Sequence, residues 1–221
     1  MRVLITGAAG GIGSELVRHY LAAGHEVIAV CRNPGEELPQ LGCEVLSGID
    51  LTRGEGIDGV VAALGGRTLD LVIQNAGLLR RDSVGGLRAA VDDLRAQFEV
   101  NALAPLLLTD ALLPHLNPGS KVALITSRMG SMGDNGSGGY YGYRMSKAAL
   151  NATGKSLAIN LRERGIAVAL LHPGFVRTPM TGGAGDIDAA TSARQLAERI
   201  AALDLASSGS FWHARGEVLP W

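Results

Sequence analysis

Short apolar runs rich in Val, Ile and Leu punctuate the chain at Val3 to Thr6, Val27 to Val30, Leu69 to Gln74, Lys121 to Thr126 and Ile166 to Leu171. A weaker run, Cys43 to Leu46, falls where a third strand of the first half belongs. Between the runs lie longer segments whose apolar residues recur at helical spacing. Strands that are apolar on both sides and alternate with helices predict a parallel sheet covered on both faces, because parallel neighbours need crossover helices. The pattern predicts an α/β fold with a doubly wound, mostly parallel sheet of about seven strands, in which ligands bind beyond the carboxyl ends of the strands.

The longest helical pattern runs from Tyr143 to about Arg164, with apolar or small residues at Ala148, Ala149, Ala152, Leu157, Ala158 and Leu161, and Gly165 as its stop. Another helix is predicted to begin near Ala189. Gly-rich stretches at 130–142 and 182–185 read as surface loops beside the ligand crevice.

Composition narrows the functions open to such a fold. The 221 residues have room for one domain, 1–221, and none for a separate substrate domain. Hydrophobic residues at 47% and charged residues at 19% suit a packed core. The formal net charge is -1 and the 20 basic residues are scattered, which predicts no nucleic-acid or membrane partner and leaves a small molecule. The stretch Leu103 to Leu113 is too short to span a bilayer. Cys31 and Cys43 read as free thiols, and Met1 leads straight into a strand, so a cytoplasmic protein is predicted. The five histidines show no metal-ligand spacing, and no metal is predicted. Trp212 and Trp221 read as packing residues, and Asp92, Asp93 and Glu99 as the solvated face of a helix.

Chemistry enters at the first turn. Thr6-Gly7-Ala8-Ala9-Gly10-Gly11-Ile12-Gly13 follows the first strand and opens a helix carrying Leu16, Val17, Tyr20 and Leu21. Glycines there permit a tight turn and close approach to a pyrophosphate, which then rests on free helix amides, as in a Rossmann dinucleotide fold. Two glycine patterns fit, Gly7, Gly11, Gly13 and Gly7, Gly10, Gly13. An NAD site would carry Asp or Glu at the end of the second strand, about 20 residues past the loop. Here the stretch is Val30-Cys31-Arg32-Asn33, and Arg32 suits a ribose 2'-phosphate, so NADP(H) is predicted over NAD(H). Tyr143 and Lys147 stand four residues apart on one helical face, where an ammonium would lower the phenol's pKa and suit it to proton exchange with a carbonyl or alcohol oxygen. Ser127, at the end of a strand, can donate to that oxygen.

Taken together, these motifs resemble the short-chain dehydrogenase/reductase family over essentially the whole chain. The resemblance rests on Thr6 to Gly13, Asp50-Leu51, Gln74-Asn75-Ala76-Gly77, Asn101, Ser127, Tyr143 with Lys147, and His172 to Thr178. It implies a tetrad of Asn101, Ser127, Tyr143 and Lys147. Tyr143 would be the acid/base, Ser127 would orient the carbonyl, Lys147 would lower the tyrosine pKa and hold the ribose, and Asn101 would support a water-linked proton path. It implies cofactor contacts from Gly7, Gly11, Ile12, Gly13, Arg32, Asp50, Leu51, Asn75, Ala76, Gly77, Tyr143, Lys147, Pro173, Gly174, Val176 and Thr178. The family usually has Asn where Gln74 stands. Sixteen positions separate Ser127 from Tyr143, more than the family's usual spacing, and Ser131 is a rival. Ser127 is preferred because it directly ends an apolar strand, and Thr126 to Ser131 resembles the C-factor-like and sniffer-like carbonyl reductase branch, whose loop carries extra residues.

The expected activity is hydride transfer between NADP(H) and a small carbonyl or alcohol, with broad specificity because the segment after Thr178 is short and Gly-rich. Family habit implies a homodimer or homotetramer, through the long helices around Asn101 and Tyr143. Two other readings stand beside it. One is a cofactor-binding signalling or regulatory protein of C-factor type. The other, a nucleotide-sugar epimerase or dehydratase, needs a sizeable C-terminal substrate domain.

Overall fold

A computed structural model describes residues 1–221. The strands are β1 (Arg2–Thr6), β2 (Glu26–Val30), β3 (Glu44–Leu46), β4 (Leu69–Gln74), β5 (Leu116–Ile125), β6 (Ala167–His172) and β7 (Phe211–His213). They form one sheet in the order β3-β2-β1-β4-β5-β6-β7, and every neighbouring pair is parallel. Strand order reverses between β1 and β4. The chain therefore leaves in opposite directions above these two strands and opens a crevice at their carboxyl ends.

The helices are α1 (Gly11–Ala22), α2 (Gly54–Leu64), α3 (Val91–Phe98), α4 (Ala104–Ala111), α5 (Tyr141–Asn160) and α6 (Ala189–Ala201). Alternation along the strands sorts the core between two faces. Val3 and Ile5 of β1 pack with Leu16 and Val17 of α1 and Leu196 and Ile200 of α6. Leu4, between them, faces the other side, with Val60 of α2, Leu108 of α4 and Leu150 of α5. Full burial of each such side chain is worth about 1.5–3 kcal/mol, so the two apolar layers fix which face each helix presents.

Four differences from the apolar pattern have local causes. Strand β5 begins five residues before the Lys121 run, because Leu116 pairs with Leu69 ahead of a register irregularity. Strand β7 is only three residues long, too short to show a period. Between α3 and α4 the helix passes through a π turn, Glu99–Leu103, which carries Asn101. The long helix starts at Tyr141 rather than Tyr143, because the Asp82 carboxylate accepts from the Tyr141 and Gly142 amides. It ends at Asn160, and Gly165, with φ +70°, completes the turn into β6. No helix is long and apolar enough to cross a membrane.

Candidate active site

The loops after β1 and β4 are sewn together at the crevice floor. The Thr6 hydroxyl accepts from the Asn75 and Ala76 amides at 3.1 Å each, while Asn75 Nδ2 donates to the Thr6 and Gly7 carbonyls. Gly7, at φ +64°, leaves no room for a side chain, since a β-carbon there would lie 2.8 Å from Ala76 Cα. At Gly13 one would collide with the Gly7 carbonyl. Of the two central glycines, Gly11 takes the left-handed conformation and lies against Thr178, whereas Gly10 is extended and faces open space.

Above this floor runs a cleft in two connected parts. One, of about 500 Å³, is lined among others by Arg32, Asn33, Asp50, Leu51, Thr52 and Ala76. The other, of about 480 Å³, is lined by Gly11, Ile12, Tyr143, Lys147, Pro173 and Thr178 among others. Gly7, Gly10, Arg32, Ala76 and Gly77 border both. The cleft crosses the open amides of α1, whose first turn holds no acidic residue, and so accommodates an elongated anionic ligand there. Exposed Arg32 stands where the two parts meet, and toward one end Thr52 holds Asp50 by two hydrogen bonds that keep this carboxyl below its ordinary range. This donor set fits a dinucleotide with an added phosphate beside Arg32. Val176 is buried rather than cleft-lining, Gly174 turns the chain at φ +93°, and neither lines either part.

At the other end of the cleft three side chains meet. Ser127 follows β5 with its hydroxyl beside the phenol of Tyr143, which the first turn of α5 carries, and accepts from the Met129 amide. Lys147, one turn later, places Nζ 5.9 Å from the centroid of the Tyr143 ring and donates to the Ile125 carbonyl at 2.8 Å. Tyr143 and Lys147 are both buried. Burial pushes the phenol up to about 12, with the neighbouring Ser127 hydroxyl pulling partly back, and pushes the ammonium down to about 7. The lowered phenol pKa expected from the four-residue spacing is therefore not what this geometry gives. Loss of water raises the cost of both charges, and at this separation that cost outweighs their attraction.

Ser131, the rival serine, accepts from the Asp134 amide inside its own loop. Asn101 is brought to the site as a clamp. Its Oδ1 accepts from the Leu78 amide at 2.7 Å, and its Nδ2 donates to the Leu78 carbonyl and to Ser146 Oγ. Ser146 in turn donates to the Tyr143 carbonyl. Gln74 borders one part of the cleft and donates to the Pro105 carbonyl and to Thr109, which ties β4 to α4. Three neighbours escaped the sequence reading. Thr126 donates to Asn151 beneath Lys147, Met180 borders the cleft, and Asp82 caps α5 from sixty residues away. A lone Asp in a loop carries no sequence signal for such a contact.

No group of three or more His, Cys, Asp and Glu side chains is placed to hold a metal. His172 and His213 meet edge to face, at 5.0 Å between ring centroids, beside Arg128 and Arg215. Trp212 lies under the Arg199 guanidinium, and Trp221 stacks on Phe211.

The profile of a family described as short chain dehydrogenase matches residues 1–188. A 1-hydroxy-2-glutathionyl-2-methyl-3-butene dehydrogenase from Rhodococcus sp. (strain AD45) is 40% identical over 225 residues, 99% of each chain. The C-signal of Myxococcus xanthus is 42% identical over 160 residues, 69% of this chain and 93% of that one. Among solved structures, an NADPH-bound carbonyl reductase from chicken fatty liver superposes with a TM-score of 0.90 at 31% identity, covering 100% of this chain and 98% of that one. The carbonyl reductase Sniffer of D. melanogaster gives 0.91 at 30% identity, covering 100% and 99%.

Proposed function

Because the chain belongs to the short-chain dehydrogenase/reductase family, we propose that it is an NADP(H)-dependent reductase of small carbonyl compounds, or dehydrogenase of the corresponding alcohols, working as one domain over residues 1–221. The observation that carries this reading is the buried pair Tyr143 and Lys147 lining the end of a cleft that begins over the Gly-rich turn, with the Ser127 hydroxyl beside the phenol. When bound, the nicotinamide supplies or accepts the hydride. The protein supplies position and the proton. Ser127 donates a hydrogen bond to the substrate oxygen. Tyr143, kept protonated by burial, gives its proton to that oxygen as reduction makes it negative, and takes it back in the oxidative direction. Lys147 stabilises the phenolate left behind and reaches the ribose, while Asn101 holds the loop at Leu78 against α5. Gly7, Gly11, Gly13, Asn75 and Gly77 shape the pyrophosphate path, Asp50 and Leu51 border the adenine, and Thr178 meets the nicotinamide end.

Arg32 supports the choice of NADP(H): it is exposed at the cleft edge, and the second strand ends without a carboxylate. Purified protein with NADPH and a panel of aldehydes and ketones, run beside Tyr143→Phe, tests the whole reading. Turnover that falls by about a hundredfold or more in the variant is expected; equal turnover would refute Tyr143 as the proton donor. Similarity to C-signal supports a second reading, in which binding of the cofactor serves signalling. Absence of turnover across the panel, with NADPH still bound, would favour it.

A further inference from the structure

Between Ser127 and Tyr143 the chain makes an excursion that leaves from one reacting residue and returns at the other. From Met132 to Gly138 every residue is exposed, Met132 at 78%. No apolar burial holds this segment, so its order rests on polar contacts. Four of them converge on one group. Arg144 Nε donates to the Gly139 carbonyl at 3.1 Å and Nη1 to the Met129 carbonyl at 3.3 Å, while Nη2 donates to Ser137 Oγ at 2.9 Å and to the Gly138 carbonyl at 3.3 Å. All four go to the loop, although Arg144 itself stands on α5 next to Tyr143. At the junction, Tyr140 is the one non-glycine residue with a left-handed backbone, φ 52°. Such a conformation persists where its surroundings over-determine it, and here the Tyr140 carbonyl is bonded by the Arg144 amide.

We propose that Arg144 is a positioning residue that anchors the 129–139 segment as a wall of the carbonyl-binding side, and so sets which carbonyl compounds bind and how tightly. The inference rests on the reading that Ser127 and Tyr143 carry the reaction. The fork of the guanidinium is essential to it, because the four acceptors are spread over the eleven residues 129–139 and a compact ammonium cannot span them. Its neighbour Tyr143 lines the cleft, whereas the Arg144 guanidinium bonds to the loop alone.

Arg144→Lys and Arg144→Met are to be compared with the wild type by amide hydrogen exchange, and by steady-state kinetics with NADPH, para-nitrobenzaldehyde and the bulkier phenanthrenequinone. Exchange across 131–139 is expected to quicken in both variants. KM for each carbonyl compound should rise about tenfold and discrimination between the two should narrow, with kcat within about threefold and the pH profile unchanged. Unaltered exchange overturns the proposal, as does faster exchange with wild-type KM and discrimination. A displaced pH profile with lowered kcat also overturns it, since Arg144 would then act on the proton step. Should the arginine variants fail to fold, Ser137→Ala removes one of the four bonds from the loop side and must still quicken exchange there; no change overturns the anchor. The exchange measurement needs no turnover, so an inactive wild type would refute the reductase reading while exchange alone decided the anchor.

Discussion

Tyr143 and Lys147 are moved in opposite directions by the same loss of water, and this has a consequence for stability that is separate from catalysis. Burial pushes the Lys147 ammonium down to about 7, against 10.5 for an ordinary lysine. Between those values the unfolded chain binds a proton that the folded chain does not, so stability rises with pH across that window. Lys147→Met removes this dependence, and the variant's melting temperature is expected to climb less than the wild type's from pH 7 to 8.5. An identical climb would show that the lysine is not discharged on folding. His172 gives the matching test in acid. Burial, with His213, Arg128 and Arg215 nearby, pushes its imidazole down to about 3 from 6.5, and its Nδ1 has no hydrogen-bond partner. Folding therefore loses stability as pH falls from 6.5 toward 3, because the unfolded imidazole takes up a proton first. His172→Phe should flatten the acid limb of a thermal-unfolding profile, and an unchanged limb would clear His172 of any part in it.

Helix α5 is where the reading from sequence and the folded chain differ most instructively. Its apolar face and Gly165 stop were legible because side-chain spacing along one helix is a local property. Its first turn was not legible, because the residue that caps it, Asp82, arrives from another loop. Asp82→Ala should cost about 1 kcal/mol of stability and lower kcat, since Tyr143 stands two residues inside the loosened end, while Asp82→Asn should retain most of both. Denaturant titration beside kinetics checks this, and equal loss in the two variants would argue against capping. Gly154 poses a question of sign on the same helix. In a helix, glycine to alanine ordinarily gains up to about 1 kcal/mol. A β-carbon at Gly154 would stand 2.7 Å from both Leu124 and Leu170, and overpacking of this kind costs about 1–3 kcal/mol. Gly154→Ala is therefore expected to be net destabilising. The preference for Ser127 over Ser131 rests on its place at the end of an apolar strand, which is a local feature of the sequence. The clamp made by Asn101 was not, because a π turn depends on what the helix packs against, and nothing in Glu99 to Leu103 announces it.

For the molecule as a whole, the reversal of strand order between β1 and β4 gathers the widely separated motifs at one edge of the sheet. Gly7, Arg32, Asp50, Asn75, Ser127, Pro173 and Thr178 all follow the carboxyl end of a strand or stand in the loop beyond it. A ligand that spans this edge touches the loops after β1, β2, β3, β4 and β6 at once, and so should stabilise the fold rather than one segment of it. Binding to the folded chain alone adds about 2.7 kcal/mol when the ligand is at a hundred times its Kd. For a protein of this size each kcal/mol raises Tm by roughly 2–4 °C, so saturating NADPH should shift it by roughly 5–10 °C. The 2'-phosphate adds its contact at Arg32, and a charge-assisted bond of that kind is worth about 1.5–3 kcal/mol. At equal concentrations NADH should accordingly produce a shift several degrees smaller. Arg32→Ala should bring the NADPH shift down to that of NADH and leave the NADH shift where it was. If NADH stabilises the wild type as much as NADPH does, the guanidinium at the end of β2 is only a solvated surface group, and the preference for the phosphorylated cofactor falls with it.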